Sequence, residues 1–95
     1  MDAIPTLDDM LAARDRIRPH VHVTPVLTSR MLDELTGAQL FFKCENLQKA
    51  GAFKARGASN AVFGRDDAQA AKGVATHSSG NHASCLSYAA MLRGI

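Results

Sequence analysis

The sequence predicts an α/β fold, in which short strands alternate with helices along the chain. Apolar residues recur at helical spacing in several segments, and runs rich in β-branched and aromatic residues lie between those segments. Such alternation is typical of a largely parallel sheet with helices on both faces. About three candidate strands are present, fewer than the roughly four to six of a usual sheet. We therefore expect these 95 residues to be the N-terminal part of a larger fold.

The predicted elements begin with a helix and an extended segment. Thr6 and Asp9 have the spacing of a capping box, and the apolar positions that follow keep helical spacing up to Pro19. Residues 21–27 are rich in β-branched side chains and are interrupted by Pro25, which favours an extended conformation.

A short second helix and the clearest strand come next. Thr28 or Ser29 can cap a helix that continues through Leu35, and Gly37 is placed to end it in the left-handed conformation. Residues 39–45, QLFFKCE, then form the most strongly predicted strand.

The second half of the chain predicts two further helices around one strand. A helix is expected from residue 52 or 53 to residue 63, and the polar stretch 66–72 can be helix or loop. Residues 73–77, GVATH, predict a short strand, and a turn at 78–81 leads into a helix over 82–92.

Composition and charge exclude several classes of function. The chain is 46% hydrophobic and 21% charged, and its net charge of +2 is too small to indicate a nucleic-acid or membrane-surface partner. Cys44 and Cys85 match neither a disulfide framework nor a CxxC metal pair, so two reduced thiols are expected. No apolar run approaches the roughly 18 residues of a membrane span, and no signal peptide is recognisable. We expect a cytoplasmic protein.

Lys54 is the first candidate for chemistry. It lies in the first turn of a predicted helix, where the helix dipole disfavours a cation. A neutral amine is the form that reacts with an aldehyde cofactor, and Phe53 offers an apolar surface for an aromatic ring. From position alone, an ordinary solvated surface lysine is the commoner case.

The second candidate is the turn at residues 76–83, THSSGNHA. Backbone N–H groups at a helix start, together with serine and asparagine side chains, can bind an anion such as a carboxylate. Gly80 would allow close approach of a ligand. An ordinary helix-capping loop fits the same residues equally well.

The histidines carry less information. His20 and His22 flank the extended segment and are expected to be structural or exposed, and His77 and His82 have no Asp or Cys at metal-ligand spacing. We expect no metal site in this chain. The chain contains no G-x-S-x-G elbow, P-loop or G-x-G-x-x-G, so hydrolase, nucleotide-kinase and dinucleotide-binding functions have no local support.

Three segments together resemble one family. Residues 43–58, KCENLQKAGAFKARGA, resemble the cofactor-lysine motif of the tryptophan-synthase-β-like (fold type II) pyridoxal-phosphate enzymes, and residues 76–83 resemble that family's asparagine loop. Residues 22–29, HVTPVLTS, are similar to the opening segment of serine racemases and serine/threonine dehydratases. The resemblance implies a two-domain architecture, with residues 1–65 in the larger domain and residues 73–95 beginning the smaller one, both incomplete.

The resemblance also implies residue roles. Lys54 would carry pyridoxal 5′-phosphate (PLP) as a Schiff base and, once released, remove the substrate's α-proton. Phe53 would contact the pyridine ring, and Asn81 would form a hydrogen bond with the cofactor's 3′-hydroxyl. Ser78, Asn81 and His82 would hold the substrate carboxylate.

Ser79 bears on the choice of reaction. Racemases of the family have a serine here, on the cofactor face opposite the lysine, where it could reprotonate the α-carbon. Biosynthetic threonine dehydratases often have alanine, whereas hydroxyaspartate dehydratases share the serine. Ser29 and Lys49 match positions that contact a nucleotide effector in the racemases, although a helix cap and a surface lysine explain them as well.

The function implied is PLP-dependent elimination of water and ammonia from L-serine or L-threonine, giving a 2-oxo acid. Serine racemisation or hydroxyaspartate dehydration on the same site is the alternative, and a non-catalytic binding module is the alternative from another class. The partners expected are a small amino-acid substrate and, in the full-length form, a second copy of the chain in a dimer.

Part of the cofactor machinery is expected elsewhere. In full-length relatives the glycine-rich phosphate loop, the group facing the pyridine nitrogen and a possible divalent-cation site all lie downstream of these residues. We therefore expect these 95 residues alone to bind PLP weakly and to catalyse little.

Overall fold

The computed structural model describes residues 3–95. Its regular elements are, in chain order, α1 (Leu7–Ile17), β1 (Val26–Leu27), α2 (Arg30–Thr36), β2 (Phe42–Lys43), α3 (Lys54–Phe63), α4 (Asp67–Ala70) and α5 (Asn81–Arg93). Short 3₁₀ turns lie at Arg18–His20, Glu45–Leu47 and Lys49–Gly51. The four longer helices follow the predictions to within two residues at each end. Residues 66–72, for which the sequence allows either helix or loop, contain α4.

The predicted capping box at the start of α1 is confirmed. The hydroxyl of Thr6 accepts a hydrogen bond from the backbone N–H of Asp9 at 3.3 Å, and Asp9 Oδ2 accepts from the backbone N–H of Thr6 at 2.8 Å. Asp9 Oδ2 also accepts from the hydroxyl of Thr6 at 2.8 Å, and the two hydrogen bonds that this oxygen accepts, the one from the backbone N–H first, hold the pKa of Asp9 below its ordinary value. The helix ends at Ile17, and Pro19 lies in the 3₁₀ turn that follows, as the sequence predicts.

The predicted limits of α2 are also confirmed. Ser29, rather than Thr28, is the cap, because its hydroxyl accepts from the backbone N–H of Leu32 at 3.3 Å. Gly37 ends the helix with a φ of 70°, the left-handed conformation that glycine adopts without steric cost.

The strand predictions are wrong in length, and the two strands within residues 3–95 are antiparallel to each other. β1 and β2 pair antiparallel, with Val26 opposite Lys43 and Leu27 opposite Phe42, so the predicted parallel sheet is absent from residues 3–95. Only Phe42–Lys43 of the predicted strand 39–45 is paired, because β1 offers a partner only two residues long. Residues 73–77 are not a strand, since no neighbouring strand pairs with them within the described chain.

The core lies between α3 and α5. Its buried members are small side chains, which let the two helices approach closely: Ala52, Ala55, Ala58, Val62, Cys85 and Ala89. Phe63, Val74 and Leu86 pack against this cluster from the side. The family resemblance predicts that α3 and α5 belong to different domains. In residues 3–95 the two helices share one core, and the division of the whole protein into domains stays a prediction.

The two core helices run in broadly the same direction. Arg93, the last residue of α5, donates hydrogen bonds to the main-chain oxygen of Val62, in the last turn of α3, and to that of Arg65, two residues beyond the helix, at 2.8 Å. Because their C-terminal ends lie together and their sides pack along the shared core, both helices begin towards the other side of the molecule.

Candidate functional site

Lys54 is the first residue of α3, and its side chain is exposed. The Nζ atom lies 5.3 Å from the centroid of the Phe53 ring, which is 61% exposed. Within residues 3–95 no hydrogen bond or ion pair occupies this amine, and Phe53, at the cap position, supplies no side-chain bond to the helix start. The amine and the adjacent aromatic face are therefore both accessible to a ligand.

The chain reverses direction just before this lysine. Ala50 and Gly51 both have left-handed backbone, with φ of 55° and 69° respectively. The turn is closed by Gln48, whose main-chain oxygen accepts from the N–H of Gly51 at 2.8 Å. Ala52 then enters the core at 5% exposure, so the backbone on the N-terminal side of Lys54 is fixed at both ends.

Gln48 is buried, and both the nitrogen and the oxygen of its side-chain amide form hydrogen bonds. Its Nε2 donates to the main-chain oxygen of His22 at 2.8 Å and to Glu45 Oε2 at 3.2 Å. Its Oε1 accepts from the backbone N–H of His22 at 2.8 Å and from that of Lys49 at 2.9 Å. The extended segment is thereby joined to the loop that leads to α3.

Glu45 connects this amide to α3 itself. One carboxylate oxygen accepts from Arg56 Nε in an ion pair, and the other accepts from the hydroxyl of Thr24 at 3.2 Å as well as from Gln48. The Arg56 hydrogen bond is the largest cause that holds the pKa of Glu45 below its ordinary value. We call Glu45, Gln48 and Arg56 the polar cluster; the sequence alone gives no indication of it.

The second candidate segment, residues 76–83, contains the start of α5, which no side chain caps. Gly80 occupies the cap position of α5 without a side-chain cap, and the hydroxyl of Ser78 accepts from the N–H of Gly80 at 3.2 Å. Ser78, Ser79 and Asn81 are exposed, and His82 is half-buried. The N–H groups of the first turn of α5 therefore remain available to an anion.

The two segments complement one another chemically. Because α3 and α5 begin towards the same side, the positive ends of both helix dipoles face that side. No hydrogen bond within residues 3–95 joins the side chain of Lys54 to those of residues 78–82, so a ligand that touches both would bridge two helix starts. An amine, an aromatic face and an anion-binding turn are the groups that this arrangement offers.

The two residues predicted to contact a nucleotide lie on different elements. Ser29 is engaged as the cap of α2, whereas Lys49 is half-buried with its Nζ 6.0 Å from the centroid of the Tyr88 ring. Both positions have a structural explanation, and their contact with an effector stays a prediction.

Cysteine and metal chemistry add little to the site. Cys44 and Cys85 are both unbridged, as the sequence predicts, and burial raises the pKa of the Cys85 thiol. In the described part of the chain no three His, Cys, Asp or Glu side chains lie close enough to hold a metal ion. Among residues 3–95 no helix has the length and apolarity needed to cross a membrane.

Comparison with known proteins identifies the class. Residues 17–95 match the family described as pyridoxal-phosphate dependent enzyme, and the chain belongs to that family. Its cofactor is PLP and its architecture is that of the fold type II enzymes, of which residues 3–95 show a part.

Three individual proteins of known type are similar to this chain. The chain is 79% identical over 92 residues to a β-hydroxyaspartate dehydratase of Paracoccus denitrificans, covering 97% of this chain and 29% of that protein. It is 65% identical over 83 residues to a serine racemase of Arabidopsis thaliana, covering 87% of this chain and 25% of that protein. The crystal structure of serine racemase from Dictyostelium discoideum superposes with a TM-score of 0.95 at 54% identity, over 98% of this chain and 31% of that one. The chain thus spans less than a third of each of these proteins.

The residues present fit PLP. An aldehyde needs an accessible amine that no carboxylate occupies, and Lys54 provides one. A pyridine ring needs an apolar face, which Phe53 exposes beside that amine. The side-chain amide of Asn81 is also exposed and can take part in hydrogen bonds to the ring's polar substituent.

Proposed function

We propose that the protein is a PLP-dependent ammonia-lyase that acts on a 3-hydroxy amino acid. The reaction removes the α-proton and the 3-hydroxyl group as water, and hydrolysis then releases ammonia and leaves a 2-oxo acid. The observation that carries the proposal is the unoccupied amine of Lys54 at the start of α3, on the side where the open start of α5 also lies.

The substrate class can be narrowed further. The sequence predicts L-serine or L-threonine as the substrate. The 79% identity to a protein named β-hydroxyaspartate dehydratase favours 3-hydroxyaspartate as the first compound to test. Cytoplasmic location and assembly as a dimer belong to the same proposal.

Residues at the start of α3 would transfer the proton, and residues at the start of α5 would bind the substrate. PLP, when bound, supplies an electron sink for negative charge at the α-carbon of the substrate. Lys54 Nζ would accept the α-proton, and Phe53 would hold the aromatic ring beside it. Because the amine lies on α3, whose sides are fixed in the core, its backbone position is set before any ligand arrives.

The start of α5 would hold the substrate. The N–H groups of its first turn, with Ser78 and His82, would bind the α-carboxylate, and Asn81 would orient the cofactor's hydroxyl. A carboxylate at this place gains from the positive end of the helix dipole. Holding that carboxylate fixes the α-carbon relative to Lys54, which is the geometric requirement for proton removal.

Serine racemisation is the second candidate. It is favoured by the exposed hydroxyl of Ser79 in the turn before α5, and by the 65% identity to a protein named serine racemase. A hydroxyl group on the cofactor face opposite Lys54 could return a proton to the α-carbon and invert it.

The test uses the whole enzyme and two lysine variants. Wild type should show the visible absorbance of lysine-bound PLP, and Lys54→Ala should lose it because no amine remains at the start of α3. Lys72→Ala is the matched control, since Lys72 is also exposed but follows α4. If Lys54→Ala kept the absorbance and full activity, the assignment of the cofactor lysine would be wrong.

Substrate assays then separate the reactions. Wild type is incubated with L-serine, L-threonine and the threo and erythro isomers of 3-hydroxyaspartate, and both the 2-oxo acid and the D-amino acid are measured. We expect 2-oxo acid from 3-hydroxyaspartate at the highest kcat/KM. D-serine formed faster than any 2-oxo acid would favour the racemase, and bound PLP without turnover would favour the non-catalytic module.

A further inference from the structure

The backbone around Lys54 is held by polar contacts on both sides in sequence. Six residues before it, Gln48 is only 4% exposed and closes the turn that precedes α3. Two residues after it, Arg56 pairs with Glu45, and the two side chains are 34% and 18% exposed. The lysine therefore lies between two anchors that meet at a single carboxylate, because Glu45 Oε2 also accepts from Gln48 at 3.2 Å.

The helix itself does not need these anchors. Ala55, Ala58 and Val62 already bury one side of α3 against α5, with exposures of 2%, 3% and 0%. In the first turn of α3 the core contacts Ala55, and just before that turn it contacts Ala52, whereas Phe53 and Lys54 between them face away from the core and are exposed. The contacts of Glu45 and Gln48 act on this turn and on the loop before it.

Partial burial makes the ion pair depend on its geometry. An ion pair at the surface is screened and worth little, whereas a pair largely removed from water depends strongly on geometry. The guanidinium of Arg56 offers donors in a rigid fork, which lysine cannot reproduce. Removal of Glu45 would deprive both Arg56 Nε and Gln48 Nε2 of an acceptor, and removal of Arg56 would deprive Glu45 Oε1 of its donor.

We propose that the polar cluster of Glu45, Gln48 and Arg56 positions Lys54 for its reaction with cofactor and substrate. These three are positioning residues, since none of them needs to touch the reacting atoms. The inference rests on the proposed function, because it gives the cluster a role only if Lys54 carries PLP. A displacement of about 1 Å in a reacting group can cost roughly a hundredfold in rate, so small shifts of this turn would be visible.

The experiment compares Arg56→Gln, Arg56→Lys and Glu45→Gln with wild type in the whole enzyme. Glu34→Gln is the matched control, because it breaks an ion pair with Arg30 whose side chains are 93% and 71% exposed. Three quantities are measured well below the unfolding temperature: the visible circular dichroism of bound PLP, kcat and KM. The dichroism reports the geometry of the bound cofactor without depending on the choice of substrate.

We expect Arg56→Gln and Glu45→Gln each to change the visible dichroism and to lower kcat about tenfold or more, with KM changed by less than about threefold. Combining the two should add little, since both remove the same contact. Arg56→Lys, which keeps the charge, should recover part of kcat even if Arg56→Gln folds poorly. Glu34→Gln should match wild type.

Two outcomes contradict the inference in different ways. If the cluster variants lower only the unfolding temperature, and leave the dichroism and kcat within about twofold of wild type, the cluster is structural and the positioning role is wrong. If wild type itself shows no PLP bound through Lys54, as judged by the Lys54→Ala variant, the proposed function is wrong and this inference goes with it.

Discussion

The left-handed backbone of Ala50 gives a prediction whose sign can be tested. Its φ of 55° and ψ of 17° place it in the region where the Cβ atom of an L-residue crowds the backbone. That crowding costs roughly 1–2 kcal/mol, and glycine escapes it because it has no Cβ atom. Glycine also makes the unfolded chain more flexible, which costs about 0.5–1 kcal/mol of stability. The balance predicts that Ala50→Gly raises the free energy of unfolding by up to about 1.5 kcal/mol.

The matched control is the same substitution in a right-handed backbone. Ala61 is exposed on α3, so Ala61→Gly removes the same methyl group without relieving any left-handed strain. A glycine inside a helix costs about 0.5–1 kcal/mol relative to alanine. The two variants should therefore differ from wild type in opposite directions.

The assay is thermal or urea unfolding of the whole enzyme at one fixed PLP concentration, because bound cofactor shifts the apparent stability. Ala50→Val should also be measured, since a β-branched side chain tolerates the left-handed region worse than alanine does and should lower stability. If Ala50→Gly and Ala61→Gly destabilised the protein equally, the turn before Lys54 would not be left-handed at Ala50, and the strain argument would be refuted.

Two further predictions concern titration and thiol chemistry. The pKa of Glu45 is lowered, chiefly by its hydrogen bond from Arg56, so its contribution to stability is complete above its ordinary pKa near 4.5 and is lost as the pH falls through the lowered value. Circular dichroism against pH should accordingly show a shallower loss of stability on the acid side for Glu45→Gln than for wild type; identical curves would contradict the ion pair. Iodoacetamide at pH 8 should label Cys44 well before Cys85, because Cys85 is fully buried and its pKa is raised by that burial. Peptide mass spectrometry would detect the order, and early labelling of Cys85 would contradict the packing of α3 against α5.

Local signals in the sequence were sufficient for the helices. The caps at Thr6 and Ser29 each involve a partner three residues away, so one turn of helix is enough to bring the interacting groups together. The end of α2 at Gly37 and the start of α3 at Lys54 likewise follow from residues close in sequence. These features depend on hydrogen bonds and steric limits within one turn of helix, which sequence spacing describes well.

Features that depend on distant partners could not be predicted in the same way. A strand exists only where another strand pairs with it, and the chain gives no sign that Phe42 would pair with Leu27 while residues 73–77 would pair with nothing in the described chain. The contact between Gln48 and His22 spans 26 residues and follows no periodic pattern. The resemblance predicts which residues form the site, but it does not indicate what holds them in place.

The two halves of the proposed site, the start of α3 with Lys54 and the start of α5, differ in how many contacts within the chain hold them. The lysine half is built from contacts within the chain, since α3 is fixed by the core on one side and by the polar cluster at its start. The carboxylate half is held by far less, because Ser78 and Gly80 share one hydrogen bond and no side chain caps α5. Exposed N–H groups at that start exchange water for an anion on binding, so in the proposed enzyme the binding energy of the substrate's carboxylate would be available to order this turn. We therefore expect the position of Lys54 to be a property of the folded chain, whereas in the proposed enzyme the geometry around Ser79, which would decide between elimination and racemisation, is completed by the ligand.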